Sequence, residues 1–147
     1  MRIALGADHA GVQLKADIKK FLDERGVPYT DFGTNTTDSV DYPDFAETVA
    51  RAVADGSHDR GLLFCGSGIG MAMAANKVPG VRAALCADAA TADGARRWND
   101  ANVLAISLRT MSAAVLGEVL DAWFAGAPSP DESDRANVAH VDAIAGA

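Results

Sequence analysis

Short apolar runs alternate with longer amphipathic segments along this chain, and this alternation constrains its fold more than any other feature. The apolar runs have the length of buried strands and lie at 2–6, 27–33, 60–66, 81–87 and 101–107. Helical periodicity predicts helices over 11–26, 45–56, 88–98, 112–126 and 135–146, with a further buried helix directly after residue 66. Because this alternation requires crossover connections, the sequence predicts an α/β fold, a three-layer sandwich with a five-stranded parallel sheet and helices on both faces.

Length, charge and cysteine usage narrow the classes of protein that fit this pattern. The 147 residues suffice for a single domain over 1–147, in which 127–134 would link the last helix to the rest. A net charge of −7 disfavours nucleic acid and anionic membranes as partners. The chain starts without a signal-peptide pattern and has no apolar stretch of membrane-spanning length, which favours a cytoplasmic protein. No spacing of cysteine and histidine is typical of zinc, and no metal or cofactor is expected.

The residues that follow the predicted strands are the first candidates for a ligand site. In parallel α/β sheets, ligands bind beyond the carboxyl ends of the strands. In this chain those positions are Asp8 and His9, Gly33 and Thr34, Cys65–Gly70, Ala87 and Asp88, and Ser107–Arg109. We therefore expect these side chains and loops to lie along one edge of the sheet.

A glycine-rich loop directly follows Cys65. Gly66, Gly68 and Gly70 alternate with Ser67 and Ile69, a spacing that lets the backbone turn tightly and present several N–H groups to one anion. The spacing fits neither a phosphate-binding P-loop nor the dinucleotide fingerprint. The alternative interpretation is a tight strand-to-helix connection that holds no ligand.

Cys65 itself has two interpretations. Beside amide donors a thiol is stabilised as the thiolate and can abstract a proton or attack carbon. A cysteine inside an apolar run is otherwise a small buried hydrophobe, which is how we interpret Cys86.

Polar residues elsewhere offer further candidates. Asp8 and His9 can bind sugar hydroxyls or transfer protons, although Asp8 can equally cap the first helix and His9 can lie at the surface. Tyr42 either offers its hydroxyl to the site or belongs to a turn. His58 and His140 have no convincing partners in the sequence, and we expect both to be exposed to solvent.

Four segments together resemble one protein family. They are GADHAG at 6–11, DYPDFA at 41–46, CGSGIGMAMAANKVPGVRAAL at 65–85 and NDANVLAISLR at 99–109. In order and spacing they resemble ribose-5-phosphate isomerase type B and the related galactose-6-phosphate isomerase subunits, over the chain through residue 125. The resemblance implies a Rossmann-like fold and metal-independent aldose–ketose isomerisation of a sugar phosphate, as in pentose phosphate metabolism. It also implies a homodimer or tetramer with sites shared between subunits, the last helix packing on a partner.

The resemblance assigns roles to individual residues. Cys65 would be the catalytic base that moves a proton between C2 and C1 through a cis-enediolate, helped by the Ser67 hydroxyl. The loop Gly66, Ser67, Gly68, Ile69 and Gly70 would bind the negative charge of that intermediate. The remaining positions that the resemblance places around the substrate are Asp8, His9, Tyr42, Asn99 and Arg109.

Two departures from the family pattern bear on the substrate. Trp98 replaces the family's ring-opening histidine, and an indole cannot act as a general acid or base near neutral pH. Ser133 and Asn137 stand where the family has phosphate-binding arginines, with Arg135 between them as a substitute. A tetrose 4-phosphate, whose O4 is esterified and cannot close a five-membered ring, would need no ring-opening acid.

Other functions stay open at this point. The chain could act on ribose 5-phosphate, on a tetrose or tetrulose 4-phosphate, or on an unphosphorylated sugar. Two classes without turnover are a sugar-binding subunit and a nucleotide-binding module that uses Asp88 as its ribose acceptor. Retention of Cys65 beside the intact loop favours an enzyme.

Overall fold

The computed structural model describes residues 1–145, which form one parallel sheet covered by helices. The strands are β1 (Ile3–Ala7), β2 (Tyr29–Asp31), β3 (Arg60–Cys65), β4 (Ala83–Leu85) and β5 (Val103–Ser107), in the order β2-β1-β3-β5-β4. The helices are α1 (Val12–Glu24), α2 (Tyr42–Ala54), α3 (Ile69–Ala75), α4 (Ala89–Asn99), α5 (Ala113–Ala125) and α6 (Glu132–Ile144). None of these helices is long and apolar enough to cross a membrane.

The sheet separates two apolar layers, because successive side chains of a strand point to opposite faces. Leu62 and Phe64 of β3 pack in the layer that contains α1, α4 and α5. Leu63 and Cys65 pack in the layer with α2 and α3. Strands buried on both faces read as continuous apolar runs, which confirms the predicted three-layer α/β architecture with all five strands parallel.

Several element boundaries differ from the prediction. The edge strands β2 and β4 have three residues each rather than seven, since an edge strand has a neighbour on one side only. α2 begins at Tyr42 rather than at residue 45, with a proline in its first turn, where the missing N–H costs nothing. α6 begins at Glu132 rather than at residue 135, and its predicted end at residue 146 lies outside the described residues.

The prediction that α3 is a buried helix was wrong for its outer face. Met71 and Ala75 are buried, whereas Met73 is 62% exposed and Ile69 is 54% exposed. Apolar composition alone does not say which side of a short helix meets the chain's own core.

The prediction that His58 is exposed was also wrong. Its ring is buried between the hydroxyls of Ser57 and Thr30, at 3.0 and 2.9 Å, and lies edge-on to Phe32. Thr30 and Phe32 are about thirty residues away in sequence, so the neighbours of His58 gave no sign of its environment. His140 is exposed, as predicted.

A buried lysine lies beside the carboxyl end of β2. The Lys15 ammonium is 2% exposed and donates to Asp31 Oδ1 and Asn35 Oδ1, each at 2.8 Å, and to the Thr34 carbonyl. Lys19 also pairs with Asp31. Burial by itself raises the pKa of Asp31, but the hydrogen bonds from Lys15, Lys19 and the Gly33 amide outweigh burial and hold that pKa below its usual value. These contacts fasten the loop after β2 to α1.

Candidate active site

The carboxyl ends of β1, β3 and β5 bring the predicted loops to one edge of the sheet. Cys65 and Ser107, the last residues of β3 and β5, are paired in register. The Asp8 amide donates to the Phe64 carbonyl at 3.2 Å, and the Leu108 amide donates to the Cys65 carbonyl at 3.1 Å. Asp8, Cys65–Gly70 and Leu108 therefore begin at the same edge, as the topological argument predicts.

The segment after β2 joins the same edge. The Ala7 amide donates to the Gly33 carbonyl and the Thr34 amide donates to the Ala7 carbonyl, both at 2.8 Å. The Lys15 ammonium in turn donates a hydrogen bond to the Thr34 carbonyl. The loop after β2 is thus tied directly to the residue that precedes Asp8.

The Cys65 sulfur is in contact with the backbone of the glycine loop. Its Sγ accepts a hydrogen bond from the Gly68 amide at 3.0 Å, and the side chain is 5% exposed. An N–H donor aimed at sulfur stabilises negative charge on that atom. A thiolate in this position can act as a base towards a substrate held over the loop.

The rest of the glycine loop is held by hydroxyl groups. Ser107 Oγ donates to the Gly66 carbonyl at 3.0 Å and accepts from the Arg109 amide at 3.1 Å. The Ile69 amide donates to Ser67 Oγ at 3.2 Å. Ser67 is exposed, so rotation of its hydroxyl would release the Ile69 amide for an anion.

Gly68 is the position in this loop where replacing glycine is expected to be most disruptive. Its φ is +76°, and a Cβ built there would lie 2.5 Å from Leu85 Cδ1 and 3.1 Å from the Ile106 carbonyl carbon. A side chain is therefore excluded both by backbone strain and by contact with β4 and β5.

We expect Gly68→Ala to destabilise the protein by about 1–3 kcal/mol and to reduce turnover strongly, because the amide that contacts Cys65 must move. Chemical denaturation and steady-state kinetics measure the two effects. Gly66→Ala is the matched control for stability, since that position has no positive φ and no atom within 4 Å of an added Cβ. Equal stability of the two variants would contradict this account of the loop.

Asp8, His9 and Tyr42 border the loop from neighbouring elements. Asp8 caps the turn His9–Gly11 by accepting from the Gly11 amide at 3.1 Å, whereas α1 begins after Gly11 without a side-chain cap, so the capping prediction holds for the turn that leads into α1. His9 Nδ1 accepts from the Val40 amide at 3.2 Å, which places the proton of the neutral ring on Nε2. The Tyr42 ring lies against Gly70, whose added Cβ would be 2.7 Å from it.

Trp98, Asn99 and Arg135 are not brought to Cys65 within one chain. α4 leaves the carboxyl edge after β4 and returns to the opposite edge, where Asn99 ends the helix and Val103 begins β5. The two ends of β5 are about 13 Å apart, given a rise of about 3.3 Å per residue. The three residues therefore lie at the amino edge of the sheet.

Two cavities lie beside these three residues, between α4 and α6. One of about 490 Å³ is lined by Trp98 and Asn99, and the other of about 480 Å³ by Trp98 and Arg135. The Trp98 side chain is 56% exposed and contributes to both. Each cavity therefore combines an aromatic surface with polar groups from α6 or the segment before it.

Two exposed arginines are available for an anion, one at each edge of the sheet. Arg109 follows β5 at the carboxyl edge, and Arg135 lies on α6. Within residues 1–145 neither guanidinium is paired with a carboxylate, whereas Arg82 is paired with Asp100 and Asp142.

Asp88 and Cys86, which the sequence analysis also considered, have structural roles in the fold. Asp88 Oδ1 accepts from the Thr91 amide at 2.7 Å and caps α4, which accounts for an aspartate at this position without a nucleotide. Cys86 is fully buried, and burial raises the pKa of its thiol to about 11, as expected for an inert core cysteine.

The buried lysine cluster was not predicted from the sequence. Lys15 lies three residues before Ile18 on the apolar face of α1, and a lysine on that face was the available signal. Its partners Asp31 and Asn35 come from β2 and the following loop, and periodicity does not identify such pairs.

Comparison with known proteins identifies the family. Residues 3–142 match the model of the Ribose/Galactose Isomerase family. The chain is 44% identical over 124 residues to D-erythrulose-4-phosphate isomerase of Pectobacterium atrosepticum, covering 84% of this chain and 82% of that protein. It is also 44% identical over 122 residues to ribose-5-phosphate isomerase B of Escherichia coli, covering 83% and 82%.

A solved structure agrees in fold as well as in sequence. Clostridium thermocellum ribose-5-phosphate isomerase B superimposes with a TM-score of 0.94 at 42% identity, over 98% of this chain and 97% of the other. The predicted Rossmann-like architecture and the predicted resemblance are both confirmed. The chain belongs to the ribose/galactose isomerase family.

Proposed function

We propose that this protein interconverts the aldose and ketose forms of a sugar phosphate, with Cys65 as the base. The observation that carries the proposal is the contact of 3.0 Å between Cys65 Sγ and the Gly68 amide, at the carboxyl edge of the sheet in a chain of this family. The thiolate removes the proton from C2 of the aldose, and C1–C2 becomes an enediolate. The resulting thiol returns the proton to C1, so the reaction is balanced without an oxidant or a metal.

The other residues of this edge have supporting roles in the proposal. Backbone amides of the loop Gly66–Gly70, other than the Gly68 amide that contacts Cys65, stabilise the enediolate, a contribution of several kcal/mol when the donors are preorganised. The Ser67 hydroxyl relays the proton between the two oxygens. Asp8 and His9 bind sugar hydroxyls, with His9 donating from Nε2, and Tyr42 closes the side of the loop.

The complete site in this proposal requires a second copy of the chain. Trp98, Asn99 and Arg135 lie at the edge opposite to Cys65, so they reach a Cys65 site only across an interface. None of the residues of α6 is buried within the chain. Two of its apolar side chains are largely exposed, Val141 to 55% and Ile144 to 75%. Exposed apolar side chains on such a helix favour a homodimer in which α6 packs on the partner.

The substrate is a four- or five-carbon sugar phosphate in this proposal. Trp98 favours the tetrose 4-phosphate, because its indole cannot open a furanose ring and that substrate forms none. Two relatives of equal similarity bear the names D-erythrulose-4-phosphate isomerase and ribose-5-phosphate isomerase B. Retention of Cys65 and of its amide contact disfavours a sugar-binding subunit without turnover.

A substrate panel in deuterated water tests the activity and the chain length together. We expect deuterium to enter the C1–C2 unit of erythrulose 4-phosphate, with kcat/KM at least about tenfold above that for ribose 5-phosphate, the discrimination typical of one carbon unit. Faster turnover of ribose 5-phosphate would contradict the assignment of a tetrose substrate but would still support isomerase activity. Absence of exchange with every sugar phosphate would contradict the isomerase itself.

A further inference from the structure

Gly94 occupies a position in α4 where glycine needs an explanation. It lies in the middle of the helix, five residues from its end at Asn99, and it is buried. Its φ is not positive, so the backbone conformation does not require glycine. Glycine in a helix interior costs stability relative to alanine. A reason for its presence must come from what surrounds it.

The indole of Trp98 occupies the space of a side chain at residue 94. A Cβ built on Gly94 would lie 2.9 Å from Trp98 Cζ3 and 3.1 Å from Trp98 Cε3, closer than carbon atoms approach without displacement. Residues four apart lie on the same helix face, one turn above the other. The six-membered ring of the indole therefore covers the Gly94 Cα, and this position is available only while residue 94 has no side chain.

The seated indole forms a wall shared by the two cavities between α4 and α6. Asn137 and Val141 also line the first cavity, and Arg135 and Ser129 also line the second. A methyl group added at residue 94 requires the ring to shift, and the ring borders this space. The location of the ring thus sets how much room remains between α4 and α6.

We propose that Gly94 is a positioning residue that seats the Trp98 indole and thereby sets the length of the sugar phosphate that the site accepts. This inference rests on the proposed function, in which Trp98 faces the substrate in the site completed by the partner copy. Gly94 contacts no substrate and acts only through the indole. A seated ring leaves room for the longer substrate, and a displaced ring takes that room away.

The test is Gly94→Ala, which adds one methyl group and should not unfold α4, since alanine favours the helix. We expect kcat/KM for ribose 5-phosphate to fall about tenfold more than kcat/KM for erythrulose 4-phosphate, a discrimination comparable with that for one methylene in a tight pocket. The loss should appear mainly in KM, because Gly94→Ala changes the room around the substrate and leaves Cys65 and its loop unchanged.

Gly117→Ala is the matched control, because Gly117 lies inside α5 and an added Cβ there has no atom within 4 Å. It should leave the ratio of the two kcat/KM values unchanged. A double-mutant cycle with Trp98→Ala separates positioning from a general effect on the helix. Without the indole, Gly94→Ala should no longer change that ratio.

The possible outcomes distinguish this inference from the proposed function. An active wild-type enzyme whose ratio changes less than twofold in Gly94→Ala overturns the inference alone. The same holds if the ratio changes equally with and without the Trp98 indole. A wild-type protein that turns over no sugar phosphate overturns the proposed function and this inference together.

Discussion

Replacing Cys65 with alanine is expected to stop isomerisation while the protein stays folded and still binds its substrate. The substitution removes the only group that the proposed reaction uses to take the C2 proton. Loss of a general base costs about 10²–10⁴-fold in turnover. The change is small sterically, since it deletes one sulfur from a side chain that is 5% exposed. Deuterium exchange at C2 measures the chemistry, and titration calorimetry with the sugar phosphate measures binding.

Cys86→Ala is the matched control for this experiment. It makes the same chemical change at a thiol that is fully buried and whose pKa is raised to about 11 by burial. We expect the Cys86 variant to retain nearly all of the wild-type turnover. A Cys65→Ala enzyme with more than a tenth of the wild-type exchange rate would exclude Cys65 as the base.

Replacing Lys15 with methionine is expected to produce the largest loss of stability. Methionine has a similar length but no charge, so Asp31, Asn35 and the Thr34 carbonyl lose their shared donor inside the protein. Breaking a buried ion pair by removing one partner typically costs about 3–5 kcal/mol. Turnover should fall as well, because the same loop holds Ala7 through Gly33 and Thr34 and contacts His9 through Val40. Urea denaturation gives the free energy of unfolding.

Lys20→Met tests the same exchange on the same helix at an exposed lysine. It should change the free energy of unfolding by no more than about 0.5 kcal/mol.

The pH dependence of stability is an independent check on the Lys15–Asp31 pair. The folded-state pKa of Asp31 lies below its unfolded value, so its contribution is present above about pH 4 and is lost as the pH falls through the folded pKa. Since Lys15 helps to lower that pKa, Lys15→Met should weaken the acid dependence. A Lys15 variant as stable as Lys20→Met would show that the buried pair stabilises nothing.

The carboxyl edge of the site could be predicted from the sequence, and the amino edge could not. Parallel strands place their carboxyl ends together, so the ends of β1, β3 and β5 had to bring Asp8, Cys65 and Ser107 to one edge. The position of Trp98 depends instead on the direction in which α4 crosses the sheet. The resemblance included Trp98 in the site, but only the fold shows that it lies at the opposite edge within one chain.

Residues whose environment comes from distant segments were the ones that the sequence described incorrectly or not at all. His58 was expected at the surface because the sequence showed no convincing partner for it, yet Thr30 and Phe32 of the β2 region enclose it. Lys15 was not singled out, although it is as buried as the leucines around it.

Local patterns along the chain were sufficient to predict the layered α/β architecture, the parallel sheet and the loop that follows Cys65. The physical reason is that hydrophobic periodicity and glycine spacing act over a few residues, and crossover topology then leaves one arrangement of layers. The fold was needed to show which polar groups are buried together, which faces of α3 and α6 stay uncovered, and where the Trp98 indole lies. Those outcomes depend on contacts between segments far apart in the chain, and no local pattern encodes which side chain will fill the space above a glycine such as Gly94.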